Sequence, residues 1–325
     1  MRRREFISLI GGSAIALWPT QVSAQQNLRR VAVLDWVSEA GAARLEPFKK
    51  GLRDEGLIDG LNIAVTYHFA RGNAKRADAL AAEIVRENVD VIVAFATPAA
   101  HAAKRATESI PIVFGAADPL GTGLVSNLAR PGGNLTGTSA MLPDLEAKRL
   151  ELLGQLIPGL KRVAYIASTV DPAAVGFVRQ AEEAAARAGI GVATFRIAGA
   201  DQVDGALADA VRGGAQAVII QTLFTLDTKT AKQTALLTAR HRLPAIGTFA
   251  TFAQAGGLIS FGPPPEFVRQ RAAQFVARIL AGTPPGELAV EQPTAFRLVL
   301  NQKTARELGI NIPVLTLARA DEVIE

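Results

Sequence analysis

The sequence predicts an α/β protein with two similar domains, and internal repetition is the main observation behind that prediction. Three strand-like segments recur in the same order, at offsets of 132, 127 and 133 residues. The pairs are RRVAVL at 29–34 with KRVAYI at 161–166, DVIV at 90–93 with AVII at 217–220, and IPIV at 110–113 with LPAI at 243–246. A helical pattern follows each segment, as is typical of a parallel sheet covered by helices. Two similar halves also indicate a groove between them that can hold a ligand.

Length and composition agree with this prediction. The chain has 325 residues, more than one hydrophobic core usually contains, so two domains are expected. Hydrophobic residues make up 49% of the chain and aromatic residues only 6%, so aliphatic side chains fill the core, as in buried parallel strands. The net charge is +5 without a block of Lys and Arg, so we expect no nucleic-acid partner.

Residues 1–24 have the pattern of a signal peptide. Arginines at 2–4 precede a short apolar stretch at 6–18, and VSA at 22–24 fits the small-x-small cleavage pattern. The apolar stretch is shorter than the roughly 20 residues that span a bilayer, so we expect no membrane insertion of the mature chain. RREFI at 3–7 resembles a twin-arginine signal, and an ordinary Sec signal is the alternative.

The chain contains no cysteine. This excludes disulfides, thiolate metal ligands, a cysteine nucleophile and a lipid-modified N-terminal cysteine. We therefore expect a mature chain that begins near Gln25 and is free in the periplasm as a monomer.

In the first half, apolar runs bounded by polar or turn residues predict four strands, at 31–36, 62–67, 90–95 and 112–115. Patterns of helical period predict helices at 44–55, 75–87 and 98–107. The first of these helices ends at Gly56. The Gly- and Pro-rich stretch at 121–137 is expected to be irregular.

The second half repeats the alternation. Strands are predicted at 162–167, 192–197, 217–221, 245–247, 258–261 and 296–300, with helices at about 150–157, at 172–188 and at 266–280. We expect the chain to cross between domains near 137–142 and again at the GPPP segment, 262–265. The predicted domains are 29–140 plus about 263–292, and 141–262 plus about 293–325.

Three predicted strand ends carry a side chain that can cap a helix, followed by proline. They are Thr97-Pro98, Asp118-Pro119 and Asp171-Pro172. Ligands of open parallel sheets bind beyond such ends, and helix N-termini attract anions such as carboxylates. The alternative is that these side chains only cap helices. Their repetition at matching positions favours a ligand site.

Other candidate ligand-binding residues also follow strand ends. They are Trp36 in the first half, and Ser168, Gln221, Thr222, Phe224, Thr248 and Phe249 in the second. Trp36 is the only tryptophan beyond the signal peptide, and it either stacks on a ligand or packs in the core. Asp35, Asp118 or Asp171 could pair with an ammonium group.

Catalytic patterns are absent from the sequence. It contains no HExxH, GxSxG or GxxxxGK[ST] pattern. GTGLVS at 121–126 is one residue short of a dinucleotide fingerprint, and PGG at 131–133 interrupts the segment that should follow. We expect no catalytic residue, no metal and no cofactor.

Five spaced blocks resemble signatures of one protein family. They are DPLGTGL at 118–124, LARPGGNLTG at 128–137, AGGLISFG at 255–262, VEQPTAF at 290–296 and LARADEVI at 317–324. The family is that of ABC transporter substrate-binding proteins, which includes tryptophan- and tyrosine-type binders. The resemblance implies a type I periplasmic-binding-protein fold, with two Rossmann-like domains, three hinge crossings and no catalysis. It also implies a ligand between the domains, touching the loops after Trp36, Phe95, Gly115, Ala167, Gln221 and Gly247.

The match is uneven around the implied site. TPA at 97–99 and Asp118-Pro119 are similar to the family's pattern. AFA at 94–96 replaces a Gly-rich segment, however, and Phe261 stands where tyrosine is common. The resemblance therefore leaves the ligand's identity open.

The expected function is that of a periplasmic solute-binding protein of an ABC importer. It would capture a small ligand, an amino acid or another organic carboxylate, and its closed form would dock on an inner-membrane permease. The alternatives are a nucleotide-dependent α/β enzyme and a periplasmic ligand sensor.

Overall fold

The computed structural model describes residues 28–325, without the side chains of residues 40–42. The predicted signal peptide lies outside the described residues. The described chain forms twelve strands in two sheets, with eleven α-helices around them. The predicted α/β class with two parallel-sheet domains is confirmed.

The strands divide between the two sheets. The first sheet contains β1 (Arg29–Asp35), β2 (Ile63–Phe69), β3 (Val91–Phe95), β4 (Ile112–Ala116) and β5 (Leu135–Ser139). The second contains β6 (Arg162–Ser168), β7 (Gly191–Ile197), β8 (Ala217–Ile220), β9 (Ala245–Gly247), β10 (Ile259–Gly262), β11 (Arg297–Asn301) and β12 (Glu322–Ile324). The strand orders are β2-β1-β3-β4-β5 and β12-β11-β10-β9-β8-β6-β7. Only β10 and β11 pair antiparallel among the described strands.

The helices lie on both faces of each sheet. In chain order they are α1 (Glu46–Asp54), α2 (Ala74–Arg86), α3 (Thr97–Ala106), α4 (Glu146–Leu156), α5 (Ala174–Ala188), α6 (Val203–Arg212), α7 (Thr228–Arg240), α8 (Ala250–Gln254), α9 (Pro265–Leu280), α10 (Gln302–Leu308) and α11 (Val314–Ala318). Helix α9 follows β10 but packs on the first sheet, against α1, β3, β4 and β5. We call β1–β5 with α1–α3 and α9 the first lobe, and the remaining elements the second lobe.

The internal repeat is visible in the packing of the two central strands. In β1, Val31 and Val33 face the cluster under α1 and α9, while Ala32 and Leu34 face the cluster under α2 and α3. In β6, residues 163 and 165 face one apolar cluster and residues 164 and 166 face the other. A strand covered on both faces has no polar side, which explains the continuous apolar runs in the sequence.

No strand was predicted at the position of β5, which spans the end of the Gly- and Pro-rich stretch and the start of the crossing expected near 137–142. Its sequence, LTGTS, carries one large apolar residue, yet all five residues are buried. The strand pairs with β4, and the hydroxyl of Thr136 donates to the Leu288 carbonyl at 2.8 Å. Hydrogen bonds therefore take the place of apolar burial, and these leave no periodic pattern in the sequence.

The chain passes between the lobes three times. It leaves the first lobe after β5, returns between β10 and α9, and leaves again after residue 291 to form β11. The first and third crossings lie side by side. The Ser139 N–H of the first donates to the Glu291 carbonyl of the third at 2.9 Å. The three crossings form a hinge on which the lobes can open and close.

Helix α9 approaches the first sheet closely at Gly115 in β4. A Cβ atom at this position would overlap Val268 Cγ1 and lie 3.2 Å from Phe95 Cδ1. Glycine at 115 thus permits the close packing of α9, and the helix carries residues 268 and 269 to the edge where β3 and β4 end.

We expect Gly115→Ala to lower the free energy of unfolding by about 1–3 kcal/mol, because the added methyl group overpacks the α9 contact. Val268→Ala in the same chain should recover part of the loss. Denaturant titration of both variants tests this. Gly154→Ala in α4 is the control: its added Cβ has open space around it, so it should be neutral or stabilising. An unchanged stability of Gly115→Ala would contradict the role given to this contact.

Candidate ligand-binding cleft

The carboxyl ends of the strands of both sheets border one interlobe cleft, which contains a cavity of about 310 Å³. The first lobe contributes the ends of β3 and β4, at residues 95–97 and 115–117. The second contributes Thr222 after β8 and Phe249 after β9. Parallel strands end at one edge of their sheet, so residues far apart in sequence form a single wall on each side.

The lobes touch beside this cavity. Leu223 and Leu226 of the second lobe pack against the apolar cluster of the first lobe, and Val170 packs there too. In the other direction, Ala117 packs against a second-lobe cluster. These apolar contacts hold the lobes together in the conformation described, with the cavity between them.

The predicted site residues fall into three groups. Thr97, Asp171, Thr222 and Phe249 line the cavity of about 310 Å³. Trp36, Ser168 and Phe224 line a second interlobe cavity, of about 440 Å³. Pro98, Asp118, Gln221 and Thr248 are not among the lining residues of either cavity. A role of any of the eleven in ligand binding stays a prediction.

Trp36 belongs mainly to the core. Its side chain is 4% exposed and packs within the apolar cluster of the first lobe. The part that is accessible faces the second cavity, where Ser38, Arg71 and Lys229 supply polar groups. Trp36 therefore packs in the core, as one of the two interpretations predicted, and stacking on a ligand stays a prediction.

The capping pattern expected at Thr97 and Asp118 was wrong. Thr97 is the first residue of α3, not its cap, and its hydroxyl accepts the Ala117 N–H at 3.1 Å. Asp118 accepts the Gly121 N–H at 2.7 Å within a turn that no helix follows. Asp171 does precede a helix, and it accepts the Ala173 N–H one residue before α5 begins.

Ala96 occupies the N-cap position of α3 instead. Its backbone has φ 81° and ψ 149°, a region that glycine adopts far more readily than alanine. The Ala96 N–H donates to the Gly115 carbonyl at 2.9 Å, which fixes this peptide between β3 and β4. The strained residue lies directly on the cavity wall.

Gln221 positions two groups of the second-lobe wall through hydrogen bonds of its side-chain amide. Its carbonyl oxygen accepts the Ser168 N–H, and its amide donates to Asp171 Oδ2 at 2.7 Å. Burial raises the pKa of Asp171 to about 6, although the bonds from the Ala173 N–H and from Gln221 favour the charged form. The polar atoms of Gln221 are thus used to position Asp171 and the loop at Ser168.

A second buried network runs from the cavity wall to the hinge. The hydroxyls of Thr222 and Thr248 lie 2.6 Å apart, and Arg149 Nη2 donates to Thr248 at 2.9 Å. Arg149 Nε also donates to the Phe261 carbonyl, at the end of β10 where the chain returns to the first lobe. Arg149 pairs with Glu146, and both are fully buried. Burial raises the pKa of Glu146 to about 7.

Two arginines that sequence reasoning missed, Arg44 and Arg269, line the cavity from the first lobe. Asp35 stands between them, with its carboxylate oxygens 3.7 Å from Arg44 Nη1 and 3.6 Å from Arg269 Nη2. The Arg269 guanidinium lies 4.7 Å from the centroid of the Phe95 ring. Burial lowers the pKa of Arg269 to about 9; the nearby Arg44 cation acts in the same direction, and Asp35 opposes it.

A sequence signal for Arg269 exists. It shares one helical stripe with Ala272, Ala273 and Val276, all of which are buried. A cation within such a stripe is a buried charge, which is rare without a partner. Asp35, considered above as a partner for an ammonium group, faces these two arginines instead.

Among residues 28–325, no helix is long and apolar enough to cross a membrane. Over the same range, no group of three or more His, Asp and Glu side chains is placed to hold a metal ion.

Two lobes, three crossings and a cavity at facing strand ends define the class of bilobal ligand-binding proteins. The chain belongs to the ABC transporter substrate binding protein family, whose model matches residues 30–324.

Individual relatives are similar over most of the chain. A protein named tyrosine-binding protein, from Clostridioides difficile (strain R20291), is 28% identical over 264 residues, or 81% of this chain and 75% of its own. A conserved domain protein from Vibrio cholerae has 29% identity and a TM-score of 0.83, covering 90% of this chain and 99% of that one. An ABC domain in complex with L-Trp, from Streptococcus pneumonia, has 24% identity and a TM-score of 0.82, covering 91% and 100%.

We expect Ala96→Gly to raise the free energy of unfolding by up to about 1 kcal/mol. Backbone strain of this kind costs of order 1–3 kcal/mol, and the larger unfolded-chain entropy of glycine offsets part of the relief. Ala100→Gly, inside α3, is the matched control and should be destabilising by about 1 kcal/mol. Denaturant titration compares them, and equal losses in the two variants would show that residue 96 is not strained.

Asp171 should make stability depend on pH. Its folded pKa lies above the unfolded value, so the folded state keeps a proton that the unfolded state loses between about pH 4 and pH 6. The stabilisation is complete below that window and is lost as pH rises through it. Asp171→Asn should therefore gain stability relative to wild type as pH rises from 4 to 6, measured by thermal unfolding. Asp201→Asn, at an exposed position, is the control, and parallel profiles for all three proteins would contradict the assignment.

Proposed function

We propose that this protein is the periplasmic solute-binding component of an ABC importer, and that it binds without converting its ligand. The observation that carries the proposal is the interlobe cavity of about 310 Å³, walled by strand ends of both lobes. That volume is at the small end of the roughly 300–1,000 Å³ range of ligand pockets, which suits a molecule of amino-acid size. Substrate-binding proteins of ABC transporters work outside the inner membrane, in agreement with the exported chain expected from residues 1–24.

Related proteins support a ligand of the amino-acid class. One relative is named for tyrosine, and a structure of the same fold contains L-Trp. The cavity walls of this chain include Phe95, Leu142 and Phe249, which suit an apolar or aromatic side chain. The proposed ligand is therefore a small molecule, either an amino acid with an apolar or aromatic side chain or another organic carboxylate with an apolar body.

Binding at this position couples the ligand to lobe closure. A ligand that contacts both walls interacts with more groups when the lobes are together, and only this difference in contacts can shift the equilibrium. Leu223 and Leu226 add apolar contact between the lobes in the same conformation. The closed form is then the state proposed to dock on a membrane permease.

The carboxyl groups nearest the cavity have structural roles. Asp171 accepts bonds from Gln221 and the Ala173 N–H, and Asp227 accepts the Lys229 and Thr230 N–H groups at the start of α7. Glu266 pairs with Arg297 at 2.8 Å. Because these carboxylates already accept hydrogen bonds or form an ion pair, they favour a fixed binding surface over acid–base chemistry.

A thermal-shift screen of the mature chain tests the proposal. The panel comprises aromatic and aliphatic amino acids, dicarboxylates and nucleotide cofactors. We expect an amino acid or carboxylate to raise apparent stability by RT ln(1 + [L]/Kd), about 2.7 kcal/mol at a hundredfold excess over Kd. For ligands that do not fluoresce, Trp36 emission should change, and Trp36→Phe should abolish that signal but keep the thermal shift. Stabilisation by a nucleotide cofactor alone would instead support the enzyme alternative.

A further inference from the structure

We infer that Arg269, assisted by Arg44, binds the carboxylate of the ligand, so that the ligand is an organic acid anchored to the first lobe. This inference rests on the function proposed above and names the chemistry of that same cavity. It assigns the anion-binding groups to side chains of α9 and of the turn before α1, not to helix N-termini.

The first support is the burial of Arg269 on the cavity wall. Its side chain is 6% exposed, and it lines the cavity close to the end of β3. Its Nε and Nη2 atoms have no hydrogen-bond partner within the described part of the chain, and neither has Arg44 Nη1. A buried cation is stabilised when its donors meet an anion, and a carboxylate matches the planar geometry of guanidinium.

The second support is the charge count. Two arginines share one carboxylate, Asp35, so this cluster has a net charge of +1. The separations of 3.6 and 3.7 Å exceed the roughly 2.7–2.9 Å of charge-assisted hydrogen bonds, so Asp35 compensates the arginines without satisfying their donors. One further anion would neutralise the cluster.

The remaining charges around the cavity do not fill this role. Asp171 and Asp227 line the second-lobe wall, and each already caps backbone N–H groups. Glu266 pairs with Arg297. Positive charge is therefore in excess on the first-lobe wall and negative charge on the second, so a carboxylate should bind first-lobe residues whether or not the ligand carries an ammonium group.

The packing of Arg269 holds its guanidinium in place. The group stacks near the Phe95 ring, and the ring itself packs edge-on against Phe48 with centroids 5.8 Å apart. The glycine at 115 lets α9 come close enough for this arrangement. A guanidinium positioned before binding loses little conformational entropy when the ligand arrives.

Isothermal titration of acid and amide pairs tests the inference without altering the protein. The pairs are 3-phenylpropionate with 3-phenylpropionamide, and L-tyrosine with L-tyrosinamide. We expect each acid to bind at least about 30-fold more tightly than its amide, because loss of one partner from a buried charge pair has an effect of that size or larger. An amide that binds as tightly as its acid would overturn the inference.

Substitutions at the two arginines test which side chain binds the carboxylate. Arg269→Gln should weaken binding of the tighter acid by about 30-fold or more, and Arg44→Gln by about tenfold, because Arg44 is the more exposed of the two. Neither should change the affinity of the amide. Arg278→Gln, on the exposed side of the same helix, is the matched control and should bind like wild type.

Each result of these titrations either supports the inference or overturns it. Retained acid affinity in both cavity variants would overturn the inference, and so would a panel in which neutral or cationic compounds bind and no acid does. In the second case the proposed solute-binding function would stand. If no compound bound, both proposals would fail. Should Arg269→Gln not fold, as shown by circular dichroism, Arg44→Gln and the acid–amide pairs decide.

Discussion

Parallel strands all end at one edge of their sheet, and this chain sets two such edges on either side of one cleft. Every property of the site follows from that arrangement. The walls combine loops that are distant in sequence, with residues 95–97 and 115–117 on one side and Thr222 and Phe249 on the other. The three crossings lie between the lobes, so the walls can separate while each sheet keeps its hydrogen bonds.

A buried polar network makes the second-lobe wall rigid. In the second lobe, Thr222, Thr248 and Arg149 link the cavity to the end of β10, where one crossing begins. Breaking such a network would leave a buried charge without its partner, which is strongly unfavourable. Opening and closing of the lobes is therefore expected to occur in the crossing segments. The same hydrogen bonds connect the cavity wall to the hinge.

Much of this architecture could be predicted because strands covered on both faces are apolar throughout, as at Val31–Leu34 and its counterpart in β6. Strand β5 escaped prediction because it buries two threonines instead of large apolar residues, and Thr136 does so through a hydrogen bond to the Leu288 carbonyl. The prediction that Thr97 caps a helix was wrong because Ala96, with φ 81°, takes the N-cap position instead. Alanine rarely adopts a positive φ, so nothing in the local sequence indicates this conformation.

The site was predictable only in part. Strand-end loops could be placed, since their position depends on topology alone. Arg44 and Arg269 lie on helical elements, and their importance depends on how α9 returns to the first lobe after β10. The return of α9 to the first lobe depends on contacts between residues that are far apart in sequence. Without knowledge of those contacts, a single arginine in a helix indicates a solvent-exposed surface.

The most direct measurement is the distance between the lobes in solution, with and without ligand. The chain has no native cysteine, so Lys75→Cys in the first lobe and Asp201→Cys in the second give two unique sites for spin labels at exposed positions. Asp201 lines the second interlobe cavity, and so does Asn73, two residues before Lys75. Double electron–electron resonance should show a broader, longer distance distribution in the free protein, and a shorter, narrower one with the tightest-binding compound of the screen. A distribution that stays the same at saturating ligand would contradict closure of the lobes around a bound molecule.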